Sequence, residues 1–386
     1  MAATRGMIRS YAEDVRLFKS WKSIVGLLAI IFLYLLLPFV INDSWAGILT
    51  VAGYLAIGGL GLNLLTGYTG LPSLGTAGFV AIGSFTASYL GRQELAEGLE
   101  WPFWQYTIIA VAIGALVGFV VGMPALRLRG VYLSIATLGM VYLILYALKS
   151  WETVSGGNAG AAMPFDVKLF GINFADIGGE DDVFLADLPF RAGEELFGRN
   201  HGLFYLSWAF VGLVALLCRN IIRSRAGRAM QAVRDRDQAA AVVGVSLFQT
   251  KVGAFVISSA IGALAGVFYA LYIQYSNADD LTFGDGALNF SIQFLAVIVI
   301  GGIGTSYGPI MGALLVAITP KITGLISSLV PGLFEEGSSS FLMTEGNFQR
   351  LLYAVLIINF LIMEPNGLAG ILRRFGGYFR TWPLAR

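Results

Sequence analysis

Long uncharged apolar runs, separated by charged residues, form the basic pattern of the chain. A helix needs about 20 apolar residues to cross a hydrocarbon core of ~30 Å. Runs suited to one crossing each lie at 23–42, 101–126, 130–148, 200–218 and 252–278. A shorter run at 351–363 also suits a crossing if it begins near Asn347 and Arg350 snorkels to the interface.

Two further runs, 44–91 and 286–320, are too long for a single crossing. As one continuous helix, the first would extend about 72 Å at ~1.5 Å per residue. Glycine and proline end helices, so we expect a break at 66–73 in the first run and at 301–309 in the second. The sequence therefore predicts an all-α, polytopic integral membrane protein with about ten transmembrane segments, some of them broken by glycine and proline.

Composition supports a membrane protein and excludes several classes of site. The 386 residues are 56% hydrophobic and 13% charged, whereas soluble domains carry about 25% charged residues. A net charge of +1 provides no bulk positive charge for nucleic acid. The single cysteine, Cys218, and the single histidine, His201, exclude a disulfide framework, a thiolate cluster and any site with paired histidines, so we expect no metal site.

The distribution of lysine and arginine predicts the orientation, because cytoplasmic loops carry an excess of both. Ten alternating crossings place both termini on the side that holds 18 of the 25 basic residues, which we take as cytoplasmic. The predicted division is a basic N-terminal segment (1–23), a transmembrane domain (24–364) and a basic cytoplasmic tail (365–386). The domain includes an external acidic loop (149–199) and a basic cytoplasmic segment (219–251).

Several kinds of chemistry are missing from the sequence. No lysine follows a glycine, so the chain has no P-loop for ATP, and we expect no enzymatic activity. Ser306 stands in a Gly-x-Ser-x-Gly pattern, but we expect His201 at the opposite membrane face, which makes an intramembrane hydrolase a remote alternative. We interpret Ser306 as a turn residue and Cys218 as a buried small apolar group. The absence of ionisable residues near the middle of any span disfavours charge-coupled secondary transport.

The two predicted breaks are candidates for a translocation pathway. Broken helices leave free backbone groups at membrane depth, which is tolerated only against protein or a water-filled cavity. Simple tight turns are the alternative explanation, and helix-to-helix hydrogen bonding accounts equally well for a buried amide. The candidate pathway residues are Asn63, Gly67, Tyr68, Ser73, Gly301, Gly302 and Gly304.

The basic cytoplasmic segment predicts two short helices, at about 226–235 and 237–243. The first places Ala229, Met230 and Val233 on one face, and Gly244 stops the second. Small side chains let a partner's groove approach closely, and the arginines would steer an acidic partner. A charged loop that only follows the positive-inside rule is the alternative.

The pattern Gln238-Ala239-Ala240-x-x-x-Gly244 resembles the coupling-loop motif of ABC importer permeases. Five other stretches, in order along the chain, resemble motifs of the branched-chain amino acid permease subunits; they lie at 67–75, 125–132, 155–157, 301–309 and 364–368. The chain departs from the family at Gln238, where a carboxylate is common. Any ion pair from that position to an ATPase is therefore in question.

The resemblance implies a non-catalytic permease subunit of an ATP-driven importer for branched-chain or other hydrophobic amino acids, in the bacterial cytoplasmic (inner) membrane. Implied partners are a second homologous permease, two ATP-binding subunits that hold ATP and Mg²⁺, an external substrate-binding protein and membrane lipid; no cofactor is implied in this chain. A urea or short-amide importer and a self-contained carrier or channel are the alternatives. The implied ATPase-coupling residues are Arg234, Asp235, Gln238, Ala239, Ala240, Gly244 and Val245.

Overall fold

The structure is a computed structural model that describes most of the predicted membrane region. It covers residues 32–92, 101–125, 130–163, 199–277, 287–329, 345–364 and 366–381, with 29, 128, 167–169 and 172–173. The predicted segment 1–23, part of the first predicted crossing and most of the predicted external loop 149–199 lie outside the described residues. The predicted division into segments stays a prediction.

The described chain is mainly helical. Its helices are α1 (Asp43–Leu62), α2 (Thr76–Gly91), α3 (Phe103–Ala125), α4 (Val131–Ser150), α5 (Glu152–Ser155), α6 (Arg199–Arg223), α7 (Arg225–Asp235), α8 (Asp237–Val242), α9 (Leu247–Ile273), α10 (Ala287–Gly301), α11 (Gly308–Leu329), α12 (Glu345–Met363) and α13 (Gly367–Thr381). A π-helical turn, Asn63–Tyr68, continues α1, and 3₁₀ turns occupy Leu37–Phe39 and Gly157–Ala159. Four two-residue strands complete the set: β1 (Ala161–Ala162), β2 (Lys168–Leu169), β3 (Ile172–Asn173) and β4 (Tyr275–Ser276). β1 pairs antiparallel with β4, and β2 with β3.

The helices confirm a polytopic membrane protein with a buried centre and an apolar outer surface. In the described residues, 7 helices are long and apolar enough to cross a membrane. The spans Asp43–Tyr68 and Leu247–Ile273 lie at the centre, because 83% and 78% of an 18-residue apolar stretch in each is buried, whereas only 6% of the α12 span is buried. With 16 and 15 residues, α2 and α10 are shorter than a full crossing requires. The count of ten crossings and the cytoplasmic termini stay predictions.

Glycines allow the backbones of α2 and α9 to touch. A Cβ atom added to Gly266 would lie 2.0 Å from the carbonyl oxygen of Val80, and one added to Gly83 would lie 1.9 Å from that of Ala263. Small residues at helix contacts are typical of membrane proteins, where close backbone packing replaces a hydrophobic driving force. Part of the glycine content is therefore explained by this pair of helices.

The first predicted break is confirmed and has an unexpected shape. After the π turn, residues 69–75 form little regular structure, and α2 begins at Thr76. Side chains of neighbouring helices satisfy its backbone: Thr137 Oγ1 accepts from Leu74 N at 3.0 Å, and Ser291 Oγ donates to Leu74 O at 2.8 Å. Irregular backbone inside a membrane domain needs such internal partners.

The irregular segment runs back into the helix bundle. Gly67, just before it, lies beside Gly304 in the loop after α10. Ser291, which contacts the end of the segment at Leu74, precedes Gly301 by ten residues, or ~15 Å along a helix. α2 therefore begins some way along the bundle from the turn, which explains why 16 residues suffice for it.

The second predicted break is also confirmed, between the end of α10 at Gly301 and the start of α11 at Gly308. Gly302 and Gly304 have φ angles of 115° and 75°, in the region that favours glycine. The hydroxyl of Tyr307 donates to the carbonyl of Ala369 at 3.4 Å, so the first turn of α13 packs on this loop.

The basic segment 219–251 contains two short helices, α7 and α8, as predicted. Ser224 caps α7 by accepting from Gly227 N at 3.4 Å, and Met230 and Val233 are buried. α8 ends in a Schellman turn, in which Val245 N donates to Ala240 O and Gly244 N to Ala241 O, both at 3.0 Å. Gly244 has a φ of 89°, so the helix stop inferred from sequence has a backbone cause.

Candidate functional site

The two breaks meet at one place, which we call the break junction and define as residues 63–68 together with 304–306. Asn63, from the start of the π turn, is only 2% exposed. Its Nδ2 donates to the carbonyl of Thr305 at 2.8 Å, and its Oδ1 accepts from Gly304 N, also at 2.8 Å. One side chain therefore holds the loop after α10 against the π turn at the end of α1.

Close backbone contact tightens the break junction. A Cβ atom on Gly67 would lie 2.2 Å from Asn63 Oδ1 and 2.6 Å from Gly304 N, so position 67 has no room for a side chain. The hydroxyls of Tyr68 and Ser306 lie 3.3 Å apart, within hydrogen-bond distance. The π turn and the loop are in direct contact along several residues.

α7 reaches the break junction through one long side chain. Nη1 of Arg234 donates a hydrogen bond to the carbonyl of Gly67. A Cβ atom on Gly304 would lie 2.7 Å from the same Nη1. Arg234 therefore contacts both sides of the junction, from the helix that leads into the exposed part of the segment 219–251.

The structure brings together four of the seven candidate pathway residues: Asn63, Gly67, Tyr68 and Gly304. Gly301 and Gly302 lie in the adjoining turn, where a Cβ on Gly302 would be 2.3 Å from Asn366 O. Ser73 lies apart, in the irregular segment, where its hydroxyl accepts from Gly75 N at 3.1 Å. Apart from the partly exposed Gly304, these residues are buried within the chain, so they form packed contacts here, and a role in the pathway stays a prediction.

The candidate coupling residues divide into an outward and an inward set. Gln238, Ala239 and Gly244 are exposed, and no heavy atom lies within 4 Å of a Cβ added to Gly244. Ala240 is buried and Val245 is partly buried, so Ala240 contributes packing rather than exposed surface. Among the remaining candidates, Asp235 is exposed and Arg234 makes the junction contact described above.

The carboxylates near Gln238 differ in their surroundings. Asp237 pairs with Lys251 of α9, with 3.7 Å between Oδ2 and Nζ. Asp237 is thus engaged inside the segment and holds the start of α8 against the start of α9. Asp235 is therefore the more accessible carboxylate beside Gln238.

Three apolar residues that the sequence reasoning missed form an exposed surface beside Gly244. Val242 is 88% exposed, Val243 84% and Phe248 57%. We call Gln238, Ala239, Val242, Val243, Gly244 and Phe248 the α8 surface. The sequence does contain a signal for this surface: two adjacent valines and a phenylalanine lie on either side of a helix-stopping glycine in a charged segment. These three residues do not follow the helical periodicity that would place them on a buried face.

The geometry separates the two residues of the hydrolase alternative. Ser306 lines a small cavity together with Cys218 of α6. His201 precedes Cys218 by 17 positions in the same helix, which corresponds to ~26 Å along the helix axis. His201 is buried, with Nε2 3.2 Å from Ile41 O and Nδ1 3.6 Å from Asp43 Oδ1. Cys218 is buried, as expected. These positions do not assemble a serine–histidine pair.

Comparison with known proteins agrees with the sequence motifs. The family model described as branched-chain amino acid transport system / permease component matches residues 44–361. The chain is 31% identical to the high-affinity branched-chain amino acid transport system permease protein LivM of Escherichia coli over 296 residues, 77% of this chain and 67% of that protein. No solved structure matches the chain at a significant level.

More distant relatives extend over more of their own length. The probable branched-chain amino acid transport permease protein LivM of Methanocaldococcus jannaschii is 25% identical over 365 residues, 84% of this chain and 93% of that protein. The high-affinity branched-chain amino acid transport system permease protein LivH of Salmonella typhimurium is 24% identical over 335 residues, 83% of this chain and 92% of that protein.

Proposed function

Because the chain belongs to the branched-chain amino acid ABC transport permease family, whose members are multi-pass inner-membrane proteins, we propose that it is the permease subunit of an ATP-driven importer. In this proposal it pairs with a second, related permease and with two ATP-binding subunits on the cytoplasmic side. A substrate-binding protein delivers branched-chain amino acids from outside. ATP and Mg²⁺ belong to the ATP-binding subunits.

The observation that carries the proposal is the α8 surface. Exposed valine and phenylalanine side chains in a charged loop are expensive in water, at about 25 cal/mol per Å² of apolar area, and favour a partner that covers them. The surrounding arginines favour an acidic rim on that partner. Small residues at Ala239 and Gly244 leave space for a groove to close over the helix.

Anchoring of α7 supports a mechanical role for the α8 surface. α7 contacts α6, α8, α9 and the π turn, and Met230 and Val233 bury its inner face. The Asp237–Lys251 pair also ties α8 to α9. In the proposed cycle, ATP closes the two ATP-binding subunits, their grooves move the α8 surface, and the attached helices change the side to which the pathway between the permeases opens.

The subunit composition is tested by native mass spectrometry of the complex purified from its own membranes through a tag on this chain. We expect this chain with a second permease and two ATP-binding subunits. A lone chain or a homo-oligomer in several mild detergents would refute the importer and favour a self-contained carrier. Competition of leucine uptake by valine and isoleucine, with urea as the comparison, then tests the substrate class.

The α8 surface is tested by Gly244→Arg, with Gly244→Ala as the matched control. Both variants have about the same backbone cost at a φ of 89°, ~1–2 kcal/mol, and no heavy atom lies within 4 Å of a Cβ added at this position. We expect Gly244→Arg to abolish ATP-driven leucine uptake without loss of membrane accumulation, and Gly244→Ala to retain most of it. Undiminished uptake in Gly244→Arg would contradict the assignment of this surface.

A further inference from the structure

Arg234, in α7, has a side chain that contacts both breaks. It stands next to the last residue of the helix, and the α8 surface begins four positions later, at Gln238. Although Arg234 as a residue is exposed, its guanidinium turns inward and donates to the carbonyl of Gly67. It thus connects the segment 219–251 to the π turn at the end of α1.

The carbonyl of Gly67 needs a donor from outside its own segment. If the helix continued, the N–H of a residue four or five positions later would donate to the carbonyl of Gly67. The N–H of Leu71 donates instead to Leu65 O at 3.2 Å, and Pro72 has no N–H. Arginine suits this place, because cations are favoured at the carbonyl end of a helix. Arg234 therefore caps the broken crossing.

Arg234 fits closely against two glycines, Gly304 and Gly70. A Cβ atom on Gly304 would lie 2.7 Å from its Nη1, and one on Gly70 would lie 3.1 Å from its Cγ and 3.3 Å from its Cα. Gly70 and Gly304 both have positive φ, at 71° and 75°. The side chain consequently has little room to move without displacing the backbone of one break or the other.

The second break is coupled to the same contact. Asn63 holds Gly304 and Thr305 through two hydrogen bonds of 2.8 Å, and Gly67 touches Gly304 directly. A displacement of Arg234 therefore reaches the loop before α11 as well as the irregular segment before α2.

We infer that Arg234 is the positioning residue that transmits movement of the α8 surface to both breaks, so that it belongs to the coupling mechanism without being part of the surface that contacts the ATP-binding subunits. The inference rests on the proposed function. It assigns Arg234 an inward role, distinct from that of the exposed residues around Gly244.

The test compares Arg234→Gln with Arg228→Gln, which lies on the same helix. Arg228 also donates to a backbone carbonyl, that of Arg223 at 3.0 Å, and its hydrogen bond therefore stays at the α6–α7 corner rather than at a break. The purified complex with its partner subunits is reconstituted in proteoliposomes, and leucine uptake and ATP hydrolysis are measured together. For Arg234→Gln we expect an assembled complex that hydrolyses ATP but has an uptake-to-hydrolysis ratio at least about tenfold lower. For Arg228→Gln we expect the wild-type ratio.

A second pair covers the case in which Arg234→Gln does not assemble. Lysine keeps the charge but lacks the planar fork of arginine, so we expect Arg234→Lys to lower the ratio by about threefold or more and Arg228→Lys to leave it unchanged. Equal ratios for the two members of either pair would overturn the inference. If the wild-type complex itself shows no ATP-dependent uptake, the proposed function fails first, and that result is distinct from a failure confined to Arg234.

Discussion

Replacement of Asn63 by alanine gives the sharpest test of the break junction. The amide satisfies the N–H of Gly304 and the carbonyl of Thr305, each at 2.8 Å. Leaving a buried polar group unsatisfied costs about 1–3 kcal/mol. Gly304 and Thr305 are partly exposed, and water can replace some of the loss. For the two groups together, we therefore expect Asn63→Ala to lower the free energy of unfolding by about 2–3 kcal/mol, the lower end of the combined range.

The effect is measured as the midpoint of thermal unfolding of the detergent-purified complex. At roughly 2 °C per kcal/mol for a large domain, Asn63→Ala should lower the midpoint by about 4–6 °C. Asn63→Asp keeps an acceptor for Gly304 N–H but turns an oxygen toward the carbonyl of Thr305, so it should be at least as destabilised.

Asn359→Ala is the matched control, since it removes the same amide from an exposed position on α12. We expect its midpoint to lie within about 1 °C of the wild type, because surface substitutions usually change stability by less than ~0.5 kcal/mol. A wild-type midpoint for Asn63→Ala, or an equal shift in both variants, would show that the amide does not hold the two breaks together.

Two further outcomes follow from the packing. Gly266→Ala should destabilise the protein by about 1–3 kcal/mol, because the new methyl group would meet Val80 O; Gly253→Ala on the same helix meets nothing within 4 Å and should be neutral or stabilising by up to ~1 kcal/mol. Equal melting midpoints for these two variants would contradict the close α2–α9 contact. Ser306→Ala should retain at least about half of leucine uptake, because it removes one partly exposed hydrogen bond to Tyr68 worth ~0.5–1.5 kcal/mol; complete loss of uptake would return attention to serine chemistry.

Features set by local chemistry could be predicted from the sequence. Uncharged apolar runs, interrupted by glycine and proline, predicted the crossings and both breaks, because the cost of burying charge and the geometry of these two residues act over short stretches of chain. The same reasoning predicted α7 and α8, and Gly244 stops α8 at a positive φ that other residues rarely adopt.

The partners of the polar groups became known through the tertiary structure. The Asn63 contacts join residues 241 and 242 positions apart, and those of Arg234 and Gly67 join residues 167 positions apart. Sequence periodicity could mark Ala240 and Val242 as apolar, but which of them faces the protein depends on where α9 and the π turn lie. Hydrophobic pattern decides that a segment is buried and where it ends; the direction of each polar side chain depends on the elements that packing brings beside it.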